Sequence, residues 1–228
     1  MLTIKDLTIK YDSSDAACAL KNVEFHVNSG EKAALIGANG AGKSTLLLAV
    51  AGVLPPCAGE IFIDGVAMRK DTIQDLRRRI GMVFQNPDDQ LFMSTVYEDI
   101  AFGPRNCKIG EEEINRQMDE ILARLDIFHL KERMTHKLSG GEKRLAALAG
   151  VLIMEPSLLL MDEPSSFLDL RARRNLLRIL KDLPQTMLIA VHDLDFALDL
   201  CNRAILLEKG YIRADGPIEK ILPLMDSG

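Results

Sequence analysis

Eight residues constrain this chain more than any others: Gly37-Ala38-Asn39-Gly40-Ala41-Gly42-Lys43-Ser44, between the apolar run Ala33–Ile36 and a stretch of helical character through about Ala51. They fit the pattern G-x-x-x-x-G-K-[ST], and the setting of strand, turn and helix demands α/β structure on both sides. Glycines at these positions let the backbone curl until successive N–H groups face one point. The amino terminus of the following helix adds its positive dipole end, and the combination suits a phosphate. Lys43 is then placed to reach the outer phosphates of a nucleotide as a point charge, and Ser44 to set a hydroxyl on Mg²⁺. The plain alternative is an ordinary Gly-rich turn before a helix; the flanking strand and helix argue against it.

A second element supports the first. Leu158-Leu159-Leu160-Met161 is an apolar run that ends in two carboxylates, Asp162 and Glu163. Asp162 fits the acid on the Mg²⁺ side, and Glu163 is placed to polarise an attacking water. A third element is Leu138-Ser139-Gly140-Gly141-Glu142, which opens a helix running through Ile153. Consecutive glycines at a helix start expose N–H groups and the positive end of the dipole, again apt for a phosphate.

The remaining texture agrees with α/β. Leu2-Thr3-Ile4 and Leu7-Thr8-Ile9 alternate, and Gly59–Gly65 reads as a strand closed by an Asp-Gly turn. Leu158–Met161 and Met187–Val191 are apolar without alternation, as expected of strands buried on both faces of a parallel sheet. From about Asn86 to Met154 the texture turns helical, with Glu111–Leu125 periodic. Hydrophobic residues make up 47% of the 228, enough for a sizeable core. No apolar run approaches the roughly 20 residues needed to cross a bilayer, and no basic-then-apolar leader opens the sequence. A soluble, cytoplasmic protein is expected. Lys plus Arg number 28 against 33 acidic residues, a net charge of −5, which argues against a nucleic-acid partner. Arg77–Arg79 and Arg171–Arg174 read as solvated helix faces. Cys18, Cys57, Cys107 and Cys201 are scattered, so neither a disulfide nor a zinc framework is expected.

In this order the three elements resemble the ATP-binding subunits of ABC transporters, and the resemblance covers nearly the whole chain. It implies an α/β P-loop NTPase core with a mixed, largely parallel sheet, an amino-terminal antiparallel β part and an inserted helical subdomain. One domain is expected, with residues 1–85 and 155–228 forming the catalytic core and 86–154 the helical insert. ATP and Mg²⁺ are the implied ligands. Gly37, Asn39, Gly40, Ala41, Gly42, Lys43, Ser44 and Thr45 would cradle the nucleotide, with Tyr11 stacking on adenine. Ser44, Gln85 and Asp162 would hold the metal, and Glu163, Gln85 and His192 would serve hydrolysis. Ser139, Gly140 and Gly141 would cap the γ-phosphate of ATP held by a second subunit in a head-to-tail pair, a homodimer ahead of a heterodimer. Ser166–Asp169 would cross that interface. His26, His129 and His136 are read as structural. The sequence departs from the common pattern at Glu142, where glutamine is usual, at Phe167, where a small residue is usual, and at Leu170, where proline is frequent.

The segment from Phe84 to Pro104 is similar to the energy-coupling-factor branch of the family, which imports cobalt, nickel, biotin and other vitamins. His192–Cys201 and Ala214–Pro217 resemble its cobalt- and nickel-type members. The branch implies a transmembrane coupling protein and a substrate-binding membrane protein as partners, and a peripheral place on the cytoplasmic face of the membrane. Two rival readings are a soluble ABC ATPase acting on DNA or ribosomes and a nucleotide sensor that does not hydrolyse. The first would need coiled-coil arms, tandem cassettes or a basic face; against the second stand Lys43, Asp162, Glu163 and His192.

Overall fold

A computed structural model describes residues 1–11 and 18–227. Alternation builds its amino-terminal part. Strands β1 (Leu2–Ile9) and β2 (Leu20–Val27) pair antiparallel, with Leu2 opposite Val27 and Ile4 opposite Phe25. The two short alternating stretches of the sequence are halves of one strand. At Asp6, whose φ is 49°, the register slips, so the buried set runs Leu2, Ile4, then Leu7 and Ile9. Gly59 lies against this bulge, where a Cβ would come within 2.4 Å of the Asp6 carbonyl oxygen.

Strand β3 (Lys32–Ile36) leads into α1 (Lys43–Val50). Next, β4 (Ala58–Ile63) and β5 (Val66–Ala67) form a hairpin. Its turn residues Asp64 and Gly65 both have positive φ, 51° and 77°, as the Asp-Gly pair predicts. After α2 (Ile73–Arg78) and β6 (Ile80–Val83) come three helices, α3 (Val96–Asn106), α4 (Glu111–Arg124) and α5 (Gly140–Leu152). The chain then runs β7 (Leu158–Asp162), α6 (Leu170–Asp182), β8 (Thr186–Ala190), α7 (Leu194–Leu200), β9 (Arg203–Glu208), β10 (Tyr211–Pro217) and α8 (Ile218–Ile221).

Two sheets result. One is antiparallel in the order β2-β1-β4-β5; the other has the order β10-β9-β3-β8-β7-β6 and is parallel except for the edge strand β10. The apolar runs Leu158–Met161 and Met187–Ala190 lie wholly buried at its centre. Their successive side chains serve two cores. Leu158, Leu160 and Leu188 face α1 and the antiparallel sheet, while Leu159, Met161 and Ile189 face the helical side. A strand with a core on each face has no polar side to present, which is why alternation is missing from these runs.

Helix α3 begins with a capping box. The Thr95 hydroxyl accepts from the Glu98 N–H, and the Glu98 carboxylate accepts from the Thr95 N–H. Helix α5 begins the same way on Ser139 and Glu142. Arg171 and Arg174 are exposed, as expected of a solvated face. Arg173 departs from that expectation: it turns onto Asp193 with two hydrogen bonds of 2.6 and 2.9 Å.

Candidate functional site

The carboxyl ends of four neighbouring parallel strands converge. β3 delivers the loop from Gly37 to Gly42, β6 delivers Gln85, β7 ends in Asp162 with Glu163 next, and β8 leads to His192. In an open α/β sheet this edge is where ligands bind.

The loop takes backbone angles that favour glycine. Gly37 has φ 148°, and a Cβ there would meet the Leu207 carbonyl oxygen at 2.1 Å. Gly42 has φ 109°, with the Ala19 carbonyl 2.9 Å from its missing Cβ. The N-cap of α1 is Gly42, which has no side chain to bond the first N–H groups of the helix, an arrangement that suits an anion. Lys43 folds back into the loop, donating from Nζ to the carbonyls of Gly37 at 2.8 Å and Ala38 at 3.1 Å. Burial pulls its pKa down, against the opposing pull of Glu163 and Asp162.

Glu163 is the hub of the acid side. Its backbone is left-handed, φ 46°, and its N–H donates to the Ala190 carbonyl at 2.8 Å, tying β7 to β8. Oε1 lies 2.9 Å from His192 Nε2, and Oε2 accepts from Gln85 Nε2 at 3.0 Å and from Ser166 Oγ at 2.9 Å. A non-glycine residue in this conformation at such a junction is a place where local strain is held by surrounding bonds. Behind it, Asp162 is 8% exposed. Burial raises its pKa, with the neighbouring Glu163 adding to the effect while Ser44, Lys43 and His192 oppose it. Its Oδ1 is buried with no hydrogen-bond partner. A buried, unpaired carboxylate oxygen beside the Ser44 hydroxyl is what a hard divalent cation would occupy. Gln85 donates from its amide nitrogen to Glu163, so its side-chain oxygen would be the atom it offers such an ion. The donor set is all oxygen and fits Mg²⁺, whose role would be to bridge and neutralise phosphate oxygens.

A cleft of about 440 Å³ gathers Asn39, Gly40, Gly42, Lys43, Ser44 and Thr45 with Gln85, Glu163 and His192. Tyr11 stands at its mouth, its hydroxyl 2.7 Å from Thr45 Oγ1. Gly37 and Ala41 belong to the same loop without lining the cleft. Ser139, Gly140 and Gly141 lie elsewhere, at the start of α5. There Gly140 lines a separate hollow of about 220 Å³ with Asn86–Asp88 and Ser166–Leu168. Gly141 needs to be small, since a Cβ would come within 2.9 Å of that of Ala172; a Cβ on Gly140 would point into open space.

Ala19, which the sequence did not single out, lines the cleft. Ser166, expected at a dimer interface, donates instead to Glu163, three residues before it. Arg173 fixes Asp193, which caps α7 beside His192 by accepting from the Phe196 N–H. The Arg173 guanidinium holds the Asp193 carboxyl below its usual range.

Comparison with known proteins agrees with this geometry. The sequence profile of the ABC transporter family matches residues 20–166. The energy-coupling factor transporter ATP-binding protein EcfA of Methanothermobacter thermautotrophicus is 41% identical over 225 residues, covering 96% of this chain and 72% of that protein. The structure of CbiO1 from Clostridium perfringens, described as part of the ABC transporter complex CbiONQ, superposes with a TM-score of 0.88 at 38% identity over 97% of this chain and 90% of that one. An ATP-binding cassette solved as a dimer in a post-hydrolysis state with ADP and Pi has a TM-score of 0.85 at 27% identity, covering 96% and 99%. The chain belongs to the ABC transporter family, as an ATP-binding and ATP-hydrolysing subunit that works with Mg²⁺.

Proposed function

We propose that this subunit energises an importer of the energy-coupling-factor type, whose cargo is a cobalt or nickel ion, with biotin or another vitamin as the second reading. The likeness to EcfA and CbiO1 supports the branch. The observation that carries the coupling role is an exposed aromatic pair in the segment that follows Gln85 along the chain. Phe92 and Phe102 are 64% and 40% exposed and meet edge to face at 4.8 Å, seven and seventeen residues after Gln85. Such a pair, with the exposed Asp89 beside it in sequence, suits a contact with a membrane partner better than contact with water. No helix among the described residues is long and apolar enough to cross a membrane. The reading assigns that task to a transmembrane coupling protein and a substrate-binding membrane protein, with this chain peripheral on the cytoplasmic face.

Not every residue of the segment serves such a contact. Val96 is fully buried in the helical core, and Leu91 packs against that core. Asp99 is turned inward, accepting from the N–H groups of Phe92 and Met93 at 3.1 and 3.2 Å, and Asp88 is paired with Lys143. These four shape the surface that Phe92, Phe102 and Asp89 present. Phe92→Ala and Asp89→Lys are therefore expected to keep ATP binding, basal hydrolysis and the thermal melt of the isolated subunit. Both should lower solute uptake by vesicles reconstituted with the membrane partners, and weaken co-purification with them. Full uptake by both variants would sink the coupling reading; a variant that unfolds would show that its side chain packs instead.

Within the cleft the assigned roles follow the geometry. Lys43, the loop and the start of α1 take the phosphates, and Tyr11 takes the base. Ser44, Asp162 and Gln85 take Mg²⁺, while Glu163 orients the water with His192 beside it. A second copy supplies Ser139, Gly140 and Gly141, a reading supported by the open space at Gly140 and by the dimeric cassette with ADP and Pi. Lys43→Ala removes a charge-assisted contact worth about 1.5–3 kcal/mol, so ATP affinity should fall at least about tenfold in a calorimetric titration. Unchanged affinity would refute the phosphate assignment.

A further inference from the structure

Arg144 is the most deeply buried charged side chain among the described residues, 2% exposed, and that burial lowers its pKa. A buried cation without a counter-ion is costly unless it is hydrogen-bonded, so what it holds is informative. It stands in the second turn of α5, the helix that Ser139 caps. Nη1 donates to the Phe84 carbonyl and Nη2 to the Gln85 carbonyl, each at 2.5 Å. The planar fork of a guanidinium matches two acceptors side by side in a way an ammonium does not.

Two further links run between the same helix and the same segment. Gln90 accepts from the Phe84 N–H at 3.3 Å while donating to the Ala147 carbonyl at 3.0 Å, and Lys143 pairs with Asp88 at 2.5 Å. The segment from Phe84 to Gln90 is thus fastened to α5 through two backbone carbonyls and the side chains of Gln90 and Asp88. Gln85 is held by its carbonyl on one side, and its side chain leaves toward Glu163.

We propose that Arg144 is a positioning residue for hydrolysis: by holding the carbonyls of Phe84 and Gln85 it keeps the Gln85 amide on Glu163 and at the Mg²⁺ position. The proposal rests on the reading of Gln85 as a contact of the metal and the attacking water. Because Arg144 and Ser139 share α5, it also makes the Gln85 contact and the surface offered to the partner's nucleotide move as one body. Arg144 never touches substrate, so its loss should appear in kcat and leave ATP affinity in place.

The test compares backgrounds. Arg144→Gln and Arg144→Lys are each made in the wild type and in Gln85→Ala, and kcat and ATP affinity are measured for all. In the wild type, Arg144→Gln should lower kcat about tenfold or more with affinity unchanged, the pattern of an interaction made in the transition state. Arg144→Lys, which keeps the charge and loses the fork, should retain an intermediate rate. In Gln85→Ala the same changes should cost little further, since the group being positioned is already gone. Equal factors lost in both backgrounds, or no loss in either, would overturn the proposal. If Arg144→Gln does not fold, the same comparison is read from Arg144→Lys. Wild-type kcat in Gln85→Ala alone would instead remove the underlying reading of Gln85, an outcome distinct from equal losses.

Discussion

Glu163→Gln is expected to bind ATP as the wild type does and to hydrolyse it about 10² times more slowly or worse, the usual order for losing a positioned base. The substitution keeps the shape and removes the carboxylate. Ser166 Oγ, Gln85 Nε2 and His192 Nε2 all meet this carboxylate within 3.0 Å. A glutamine has one acceptor oxygen and one donor nitrogen to offer, so it can keep part of this network but cannot accept a proton from water. The groups assigned to the phosphates, Lys43 and the start of α1, belong to a different element and are untouched. Binding and chemistry should therefore separate, and ATP should hold the variant in a dimer that the wild type only passes through. Steady-state hydrolysis, ATP titration and sedimentation with ATP present would check all three. Near wild-type hydrolysis would show that Glu163 is not the base.

Much of this site was readable because its chemistry is local in sequence. The loop from Gly37 to Ser44 carries its own glycines, lysine and hydroxyl, and each is needed for a reason that does not depend on the rest of the chain. Asp162 and Glu163 stand out because two charges end an apolar run, and buried strands otherwise exclude charge. The sheet followed from the same runs. What sequence could not supply was partnership at a distance. Asp99 reads as a surface acid among apolar residues, yet in space it accepts two backbone N–H groups of its own segment, and burial raises its pKa. Arg173 reads as part of a solvated basic cluster and instead locks Asp193, twenty residues on. The bonds from Arg144 to Phe84 and Gln85 span about sixty residues, and no periodicity encodes them. In each case the role of a charged residue is set by a backbone group or carboxylate that the fold brings to it, which its neighbours in sequence do not show.

Ser139→Arg is expected to leave one subunit's own ATP binding intact and to abolish dimer-dependent turnover. Ser139 lies outside the cleft that holds Lys43 and Glu163, so nothing at the cradle changes. Its place is the N-cap of α5, where its hydroxyl accepts from the Glu142 N–H at 3.4 Å and its own N–H donates to Glu142 at 2.7 Å. Losing the hydroxyl removes half of the capping box, typically about 0.5–2 kcal/mol of stability, so Ser139→Ala is the control for that effect alone. The arginine adds length and a positive charge at a helix start already positive at its dipole end. If the γ-phosphate held by the partner docks there, the longer side chain displaces it from the exposed N–H groups. Removing preorganised donors of this kind costs about 10²–10³ in rate, and the steric block adds to that. ATP titration of the single subunit, sedimentation with ATP and steady-state turnover would be measured for both variants. Arg should lose the dimer and the turnover, while Ala should lose little of either. Normal turnover with full dimerisation in Ser139→Arg would mean that the start of α5 does not face the partner's nucleotide.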